Sequence, residues 1–190
     1  MAPLPRQVSE LSREVRFYRA LASEFVLPPP SLGDLTLSVW RPRRDGPPRG
    51  LFAGKVNTVW YVMDRLGLFA RDGLSVYAVH DGPRLLHRLL VTPRWHRFPF
   101  MGENDLQLGM LWTDPAMRGR GLARQAIAAV HADLPADVRA LWYLVEADNT
   151  ASIRLIEGLG YRLAGCGERT SPAGLSAIGQ FVMTRPAAQE

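Results

Sequence analysis

The stretch LGMLWTDPAMRGRGLARQAI, from Leu108 to Ile127, concentrates the chemistry of this 190-residue chain. A strand pattern runs into Pro115, and Arg118, Gly119, Arg120 and Gly121 then open a helix. Glycine lets backbone approach a ligand closely. A helix start presents unpaired N–H groups at the positive end of its dipole, so the amides from Arg118 through Leu122 to Ala123 could seat a pyrophosphate. One dipole interaction is worth only about 0.3–1 kcal/mol when exposed, but several amides act together on one anion. On residue types alone, the same run reads equally as a flexible basic turn. No Lys-Ser or Lys-Thr follows the glycines, which excludes a nucleoside triphosphate loop, and the spacing lacks the three glycines of a dinucleotide fingerprint.

The remaining reactive side chains are sparse. Cys166 is the single cysteine, which excludes an internal disulfide or a thiolate metal cage. No histidine and carboxylate spacing resembles a metal site, so no metal is expected. His80 and His87 read as hairpin side chains and His131 as facing solvent. Trp40, Trp60 and Tyr61 read as core, since rings supply the largest buried areas. Trp95 to Phe100, which includes Phe98, is either core or a lid or acceptor wall, with Arg94 and Arg97 beside its rings.

The elements that must position these residues follow from periodicity. Val8, Leu11, Val15, Tyr18, Leu21 and Phe25 recur at helical spacing until Pro28 to Pro30 stop them. A short strand at Leu35 to Val39 leads to a loop over Arg41 to Gly50. A helix follows, capped by Asn57, with Val59, Val62, Leu66 and Phe69 on one face and Gly73 beyond its end. Leu74–His80 and Leu85–Val91 read as a hairpin turning at Asp81 to Pro83. The segment TPRWHRFPFMGEND is a loop into a strand at Leu106–Thr113. A helix over Arg118–Leu134, a buried strand at Ala140–Val145 and a helix over Asn149–Leu159 come next. Strands at Tyr161–Ala164 and Leu175–Thr184 close the order.

At 21.2 kDa, with 47% hydrophobic and 22% charged residues, the chain has the composition of one folded domain. Residues 1–30, a helix and its proline stop, are assigned to the same domain as residues 31–190. No apolar run approaches the roughly 20 residues of a membrane span, and the start lacks a secretion signal, so a cytoplasmic location is expected. The net charge of +5 rests almost wholly on arginine. It favours anionic partners, and compositional bias explains it as well.

Arg118, Gly121 and Ala123 resemble the Arg/Gln-x-x-Gly-x-Gly/Ala element with which the GCN5-related N-acetyltransferases (GNATs) bind acetyl-coenzyme A. Downstream, Asn149, Ser152, Leu155, Glu157, Gly160 and Tyr161 are similar to the pattern of that family's next helix. The resemblance covers Leu106 to Tyr161, under a third of the chain. It implies a single-domain α/β (mixed α+β) fold. Its central sheet would be mixed but mostly antiparallel, with about six or seven strands splayed at the cofactor site, flanked by helices and carrying an extra N-terminal helix. It further implies acetyl-coenzyme A as cosubstrate without a metal. The turn from Arg118 to Ala123 would hold the pyrophosphate and Asn149 the pantetheine, although Asn149 also reads as a plain helix cap. Backbone near Leu111, Trp112 and Thr113 would polarise the thioester.

Acetyl transfer to an amine needs a neutral nucleophile. An alkylamine with a pKa of about 10.4 is neutral in fewer than about one molecule in a thousand at pH 7, so a base is expected. Glu146, at the end of the buried strand, is the first candidate, ahead of Glu103, Asp105 and His96; a solvated strand-end carboxylate is the bland alternative. Many members of the family carry a leaving-group tyrosine where this chain has Ile156. Ser152, one turn after Asn149, could protonate the thiolate or could be satisfied within its own helix turn. The resulting expectation is an N-acetyltransferase acting on a primary amine of a small molecule, such as an amino sugar, by direct attack through a tetrahedral intermediate. The alternatives are acetylation of protein N-termini, or a non-catalytic binding module for anionic ligands or nucleic acid. No membrane or nucleic-acid partner is expected, and the chain would be a monomer or homodimer.

Overall fold

The almost continuously apolar ALWYLVE run becomes the central strand of one eight-stranded sheet in the computed structural model, which describes residues 14–24, 27–170, 172 and 179–187. The strands are β1 (Val15–Leu21), β2 (Thr36–Trp40), β3 (Ser75–Asp81), β4 (Arg84–Pro93), β5 (Asp105–Thr113), β6 (Ala140–Glu146), β7 (Arg162–Arg169) and β8 (Phe181–Pro186). Their order is β2-β3-β4-β5-β6-β1-β7-β8. Only β5 and β6 run parallel; every other neighbouring pair is antiparallel. The helices are α1 (Pro42–Asp45), α2 (Lys55–Arg65), α3 (Leu122–Ala132) and α4 (Thr150–Glu157). The mixed, mostly antiparallel architecture matches the expectation, with eight strands rather than six or seven.

The N-terminal helix expected over Val8 to Phe25 is corrected where it is described: Val15–Leu21 is a strand, paired with β6 on one side and β7 on the other. Residues 8–13 and 25 lie outside the described residues. The apolar positions of VRFYRAL fit both periods, and aromatic and β-branched residues favour strands. The slot decides between them. Val15, Phe17, Tyr18 and Ala20 are all buried there, with a bulge between Phe17 and Tyr18, so both faces of β1 enter the core.

The second correction concerns α2. Gly54 rather than Asn57 caps it, and Asn57 instead donates its side-chain N–H to the Phe52 carbonyl (2.8 Å). The apolar face read from the sequence points outward, with Val59 56% and Leu66 68% exposed. Trp60 and Tyr61 pack inward against Trp40, Leu74, Val76 and Leu90. Asp64 is buried, held by Arg43, which also pairs with Asp72. Burying this carboxylate requires its ion pair, and that pair sets which way the helix turns.

Other differences are matters of extent. The Arg41–Gly50 loop contains the single turn α1, α3 is shorter than expected, β7 runs on to Arg169, and the last strand is shifted to Phe181–Pro186. Residues 175–178 of its expected start lie outside the described residues. One apolar layer joins Ala126, Ile127 and Val130 of α3 and Ile153 and Ile156 of α4 to Leu89, Leu108, Leu141 and Tyr143 of the sheet. On the other side Val15, Phe17, Phe98, Met101 and Trp142 form a separate cluster. The sheet is thereby covered on both faces, which fixes β5 and β6 at its centre.

Candidate active site

β5 and β6 pair only from Asp105↔Ala140 to Leu108↔Tyr143. Beyond that point they part. On its other side, β5 shifts register against β4 between Leu90↔Gly109 and Arg88↔Trp112, and Met110 adopts a positive φ of 50°, the only non-glycine to do so among the described residues. A bulge of this kind bends a strand and increases its twist. The polar backbone of Gly109 to Thr113 therefore loses its β6 ladder and borders a gap in the sheet.

On one side of the gap lies a cleft of about 640 Å³. Leu111, Trp112 and Thr113 form its β5 wall, Arg118, Gly119, Gly121, Leu122 and Ala123 its end, and Asn149, Ser152 and Leu155 its α4 wall. Arg120, expected in this set, does not line it. Gly119 and Gly121 have φ of 74° and 77°, and no atom lies within 4 Å of where a Cβ would stand on either. Gln125 N–H donates to the Gly121 carbonyl, while the amides from Gly119 to Arg124 have no main-chain acceptor among the described residues. A left-handed glycine pair followed by unpaired helix amides is a cradle for an anion, open where a side chain would otherwise intrude. The cleft thus ends in a set of N–H donors suited to an anionic group.

Asn149 caps α4, its Oδ1 accepting from Ser152 N–H (3.1 Å), which leaves its amide N–H₂ to donate into the cleft. The cap reading of this residue is the one observed. Tyr143, which sequence reasoning did not single out, lies at the last β5–β6 pair, with Ser152 close enough to act on its hydroxyl. Burial pushes the Tyr143 hydroxyl above the ordinary tyrosine pKa, against a smaller opposing pull from Ser152. It stays protonated at neutral pH. Ile156, where the resemblance would place a tyrosine, is fully buried core.

On the other side of the gap is a second cavity, about 300 Å³, bordered by Gly109 and Met110 of β5 and by Leu144 and Glu146 of β6. Met110 borders one cavity and its neighbour Leu111 the other, so the bulge is where the two meet. Trp95 and Phe98 line this cavity together with Trp60 and Phe181, and Phe98 also packs in the core beside Phe17 and Trp142. Of the candidate bases, only Glu146 reaches it. Asp105 is excluded: it is buried at the far end of β5, accepting from Trp142 Nε1 (2.8 Å) and Gly102 N (2.9 Å). Glu103 and His96 border neither cavity.

The histidines divide. His80 sits at the hairpin, with Nε2 near Ser38 Oγ (2.8 Å) and Nδ1 near the Gly82 carbonyl (2.8 Å). His131 is corrected from solvent-facing to partly buried, with Nε2 2.9 Å from the Tyr161 hydroxyl. His87 is fully buried behind the cleft, its Nδ1 2.8 Å from Thr113 Oγ1, and burial depresses its pKa to about 4. The unfolded chain would take up that proton near the ordinary pKa of about 6.5, so falling pH costs stability between about 6.5 and 4. We expect about 2 kcal/mol to be lost on this account between pH 7 and 5. Denaturant unfolding at the two pH values checks it; the difference should shrink by that amount in His87→Gln.

Among the described residues, no group of three or more His, Cys, Asp or Glu is placed to hold a metal ion. Residues 101–170 match the family model described as FR47-like protein. No curated protein matches the chain. Among solved structures, a GNAT-family acetyltransferase of Novosphingobium aromaticivorans DSM 12444 is similar, with TM-score 0.53, 20% identity, 87% of this chain covered and 66% of that one. A GCN5-related N-acetyltransferase of Sphaerobacter thermophilus gives 0.52 at 14% identity, over 82% of this chain and 50% of its own. A tandem GNAT protein from the clavulanic acid biosynthesis pathway gives 0.51 at 17% identity, over 80% and 51%. The chain spans between half and two thirds of the length of these structures. The chain shares the fold of these GNAT structures.

Proposed function

We propose that the protein is an acetyl-coenzyme A dependent N-acetyltransferase for a primary amine of a small molecule, with an amino sugar among the acceptors its ring-walled cavity suits. One observation carries this reading: the β5 bulge joins a cleft ending in an anion cradle to a separate cavity holding a carboxylate. The thioester, when bound, supplies an activated acetyl carbon and a thiolate leaving group. The amides of Arg118 to Ala123 and the Arg118 side chain bind its phosphates, and Asn149 donates to its arm. Backbone N–H groups at Leu111 and Trp112 polarise the carbonyl.

Glu146, directly or through water, takes the proton that the amine loses as the C–N bond forms. Ser152 gives a proton to sulfur as the C–S bond breaks, and Tyr143 replenishes Ser152. One proton leaves the nitrogen and one reaches the thiolate, so the sum is amide plus free thiol. Groups in such roles are worth about 10²- to 10⁴-fold each.

Acetyl-coenzyme A at 100 times its dissociation constant should stabilise the fold by about 2.7 kcal/mol, raising Tm by about 5–10 °C in a domain of this size. Free thiol should then be released in proportion to amine added. Absence of both effects would remove the enzymatic reading. Thiol release with peptides alone would transfer the activity to protein N-termini.

A further inference from the structure

β5 carries a glycine that its own backbone does not need. Gly109 stands in the strand opposite Leu90 and is not among the glycines with positive φ. Glycine inside a strand weakens it, and often marks a close approach by another group. Here that group is the side-chain amide of Gln107: a Cβ on Gly109 would lie 2.8 Å from its Nε2 and 2.9 Å from its Oε1. Gln107 and Gly109 share one face of the strand. The amide therefore lies along β5 toward the bulge, in space that a side chain at 109 would fill.

Two bonds hold it there. Gln107 is opposite Thr92 of β4, and the Thr92 hydroxyl donates to Oε1 (3.0 Å). Nε2 donates to the Leu108 carbonyl. Gln107 and Thr92 are only 7% and 1% exposed, and both line the smaller cavity. A primary amide offers two N–H donors and two oxygen lone pairs. Among the described residues Gln107 uses one of each, so one N–H and one lone pair remain. Trp95, in the wall of the same cavity, has a buried Nε1–H with no hydrogen-bond partner among the described residues. Polar groups buried with unused capacity favour a ligand that completes them.

Resting on the N-acetyltransferase reading above, we infer that Gln107 binds the acceptor, and that the acceptor is a primary amine with a hydroxyl on the adjacent carbon. The amine N–H donates to the second lone pair of Oε1, and the second Nε2–H donates to the hydroxyl oxygen. Donor and acceptor flank one carbon of the amide, a spacing that a nitrogen and an oxygen on neighbouring carbons match. Gln107 does not titrate, so it holds the nitrogen without taking its proton and leaves the nitrogen lone pair for the acyl carbon. Gly109 is two residues from Leu111, at most about 7 Å along the strand. A nitrogen held at the amide is thus placed near the N–H groups assigned above to the thioester carbonyl. Trp60, Trp95 and Phe98 offer ring faces to the body of the acceptor, and the Trp95 N–H suits a further oxygen on it.

The test compares three ring amines in the presence of acetyl-coenzyme A: trans-2-aminocyclohexanol, trans-4-aminocyclohexanol and cyclohexylamine. We expect kcat/KM for the 2-hydroxy amine to exceed the other two by about 10-fold or more, because losing the hydroxyl also strands a buried N–H. An adjacent hydroxyl lowers the amine pKa as well, so the decisive quantity is the preference of each variant divided by that of the parent, in which this effect cancels. The preference should fall by about 10-fold in Gln107→Leu. Gly109→Ala should reproduce the fall, since the new methyl displaces the amide, and should add nothing in the Gln107→Leu background. General damage to the fold would not depend on which amine is offered. If Gln107→Leu is unstable because the Thr92 hydroxyl has lost its acceptor, Gln107→Leu with Thr92→Val removes both partners together and preserves the packing. A preference absent from the parent, or one that survives in these variants, would overturn the inference.

A binding measurement separates this outcome from failure of the activity itself. With coenzyme A present and no acetyl group, tryptophan fluorescence reports occupancy by the same three amines through Trp60 and Trp95 in the cavity wall. Tighter binding of the 2-hydroxy amine that depends on Gln107 would uphold the inference even if no amine were acetylated. Equal binding of all three would sink it.

Discussion

Gly121→Glu should abolish the rise in Tm produced by acetyl-coenzyme A and weaken its binding by at least about 100-fold. Gly121 occupies the left-handed region at φ 77° as the N-cap of α3, where an L-residue costs about 1–2 kcal/mol. Space is not the obstacle, since nothing lies within 4 Å of the added Cβ. The variant should therefore fold, with a modest loss of stability. Its effect on binding comes from charge: a carboxylate would sit on the amides that receive the pyrophosphate, competing for the same N–H groups and repelling the same anion. Gly121→Asn is the control. Asparagine tolerates the left-handed region and carries no charge, so it should keep most of the Tm rise. Calorimetric titration of both variants checks this, and full stabilisation of the glutamate variant would mean that the phosphates bind elsewhere.

Ser152→Ala and Tyr143→Phe should each lower kcat by about 10²- to 10⁴-fold while leaving the dissociation constant of acetyl-coenzyme A nearly unchanged. The double variant should lose little more than either single one, because groups acting in one proton path are not additive. Tyr143 is suited to the end of such a path: burial keeps its hydroxyl protonated, and Ser152 beside it lines the cleft wall. Tyr143→Phe removes a single oxygen and keeps the ring that fills the core, so a stability loss would not explain a large fall in kcat. If both single variants turn over within about threefold of the parent enzyme, the thiolate takes its proton from water and neither residue belongs in the path. Glu146→Gln then tests the other end, as a loss of kcat that raising the pH partly restores, since more of the amine is then neutral without help.

The parts of the site that were legible in the sequence are those made by contiguous residues. The glycines of the Arg118 to Gly121 turn announce a backbone that only glycine adopts cheaply, and the structure puts both at positive φ where α3 begins. Asn149 and Ser152 are three apart at a helix start, so their places on the cleft wall follow from helix geometry alone. The uninterrupted apolar run of β6 likewise predicts a strand buried on both faces. Local spacing carries such information because the interactions that shape these elements are themselves local.

What only tertiary structure decided lies where distant segments meet. β1 satisfies helical and strand periodicity alike, and the slot between β6 and β7 selects the strand. The inward face of α2 is set by the pairing of Arg43 with buried Asp64 rather than by its valines. Tyr143 of β6 comes to lie beside Ser152 of α4, and Arg97 and Arg169, 72 positions apart, become neighbours through Phe181 of the last strand. The amino-acid order thus specified the glycine turn that opens α3 by itself, because main-chain conformation is written in adjacent residues. The smaller cavity is assembled from side chains of separate strands and a loop, so its shape exists only once the sheet has formed around it.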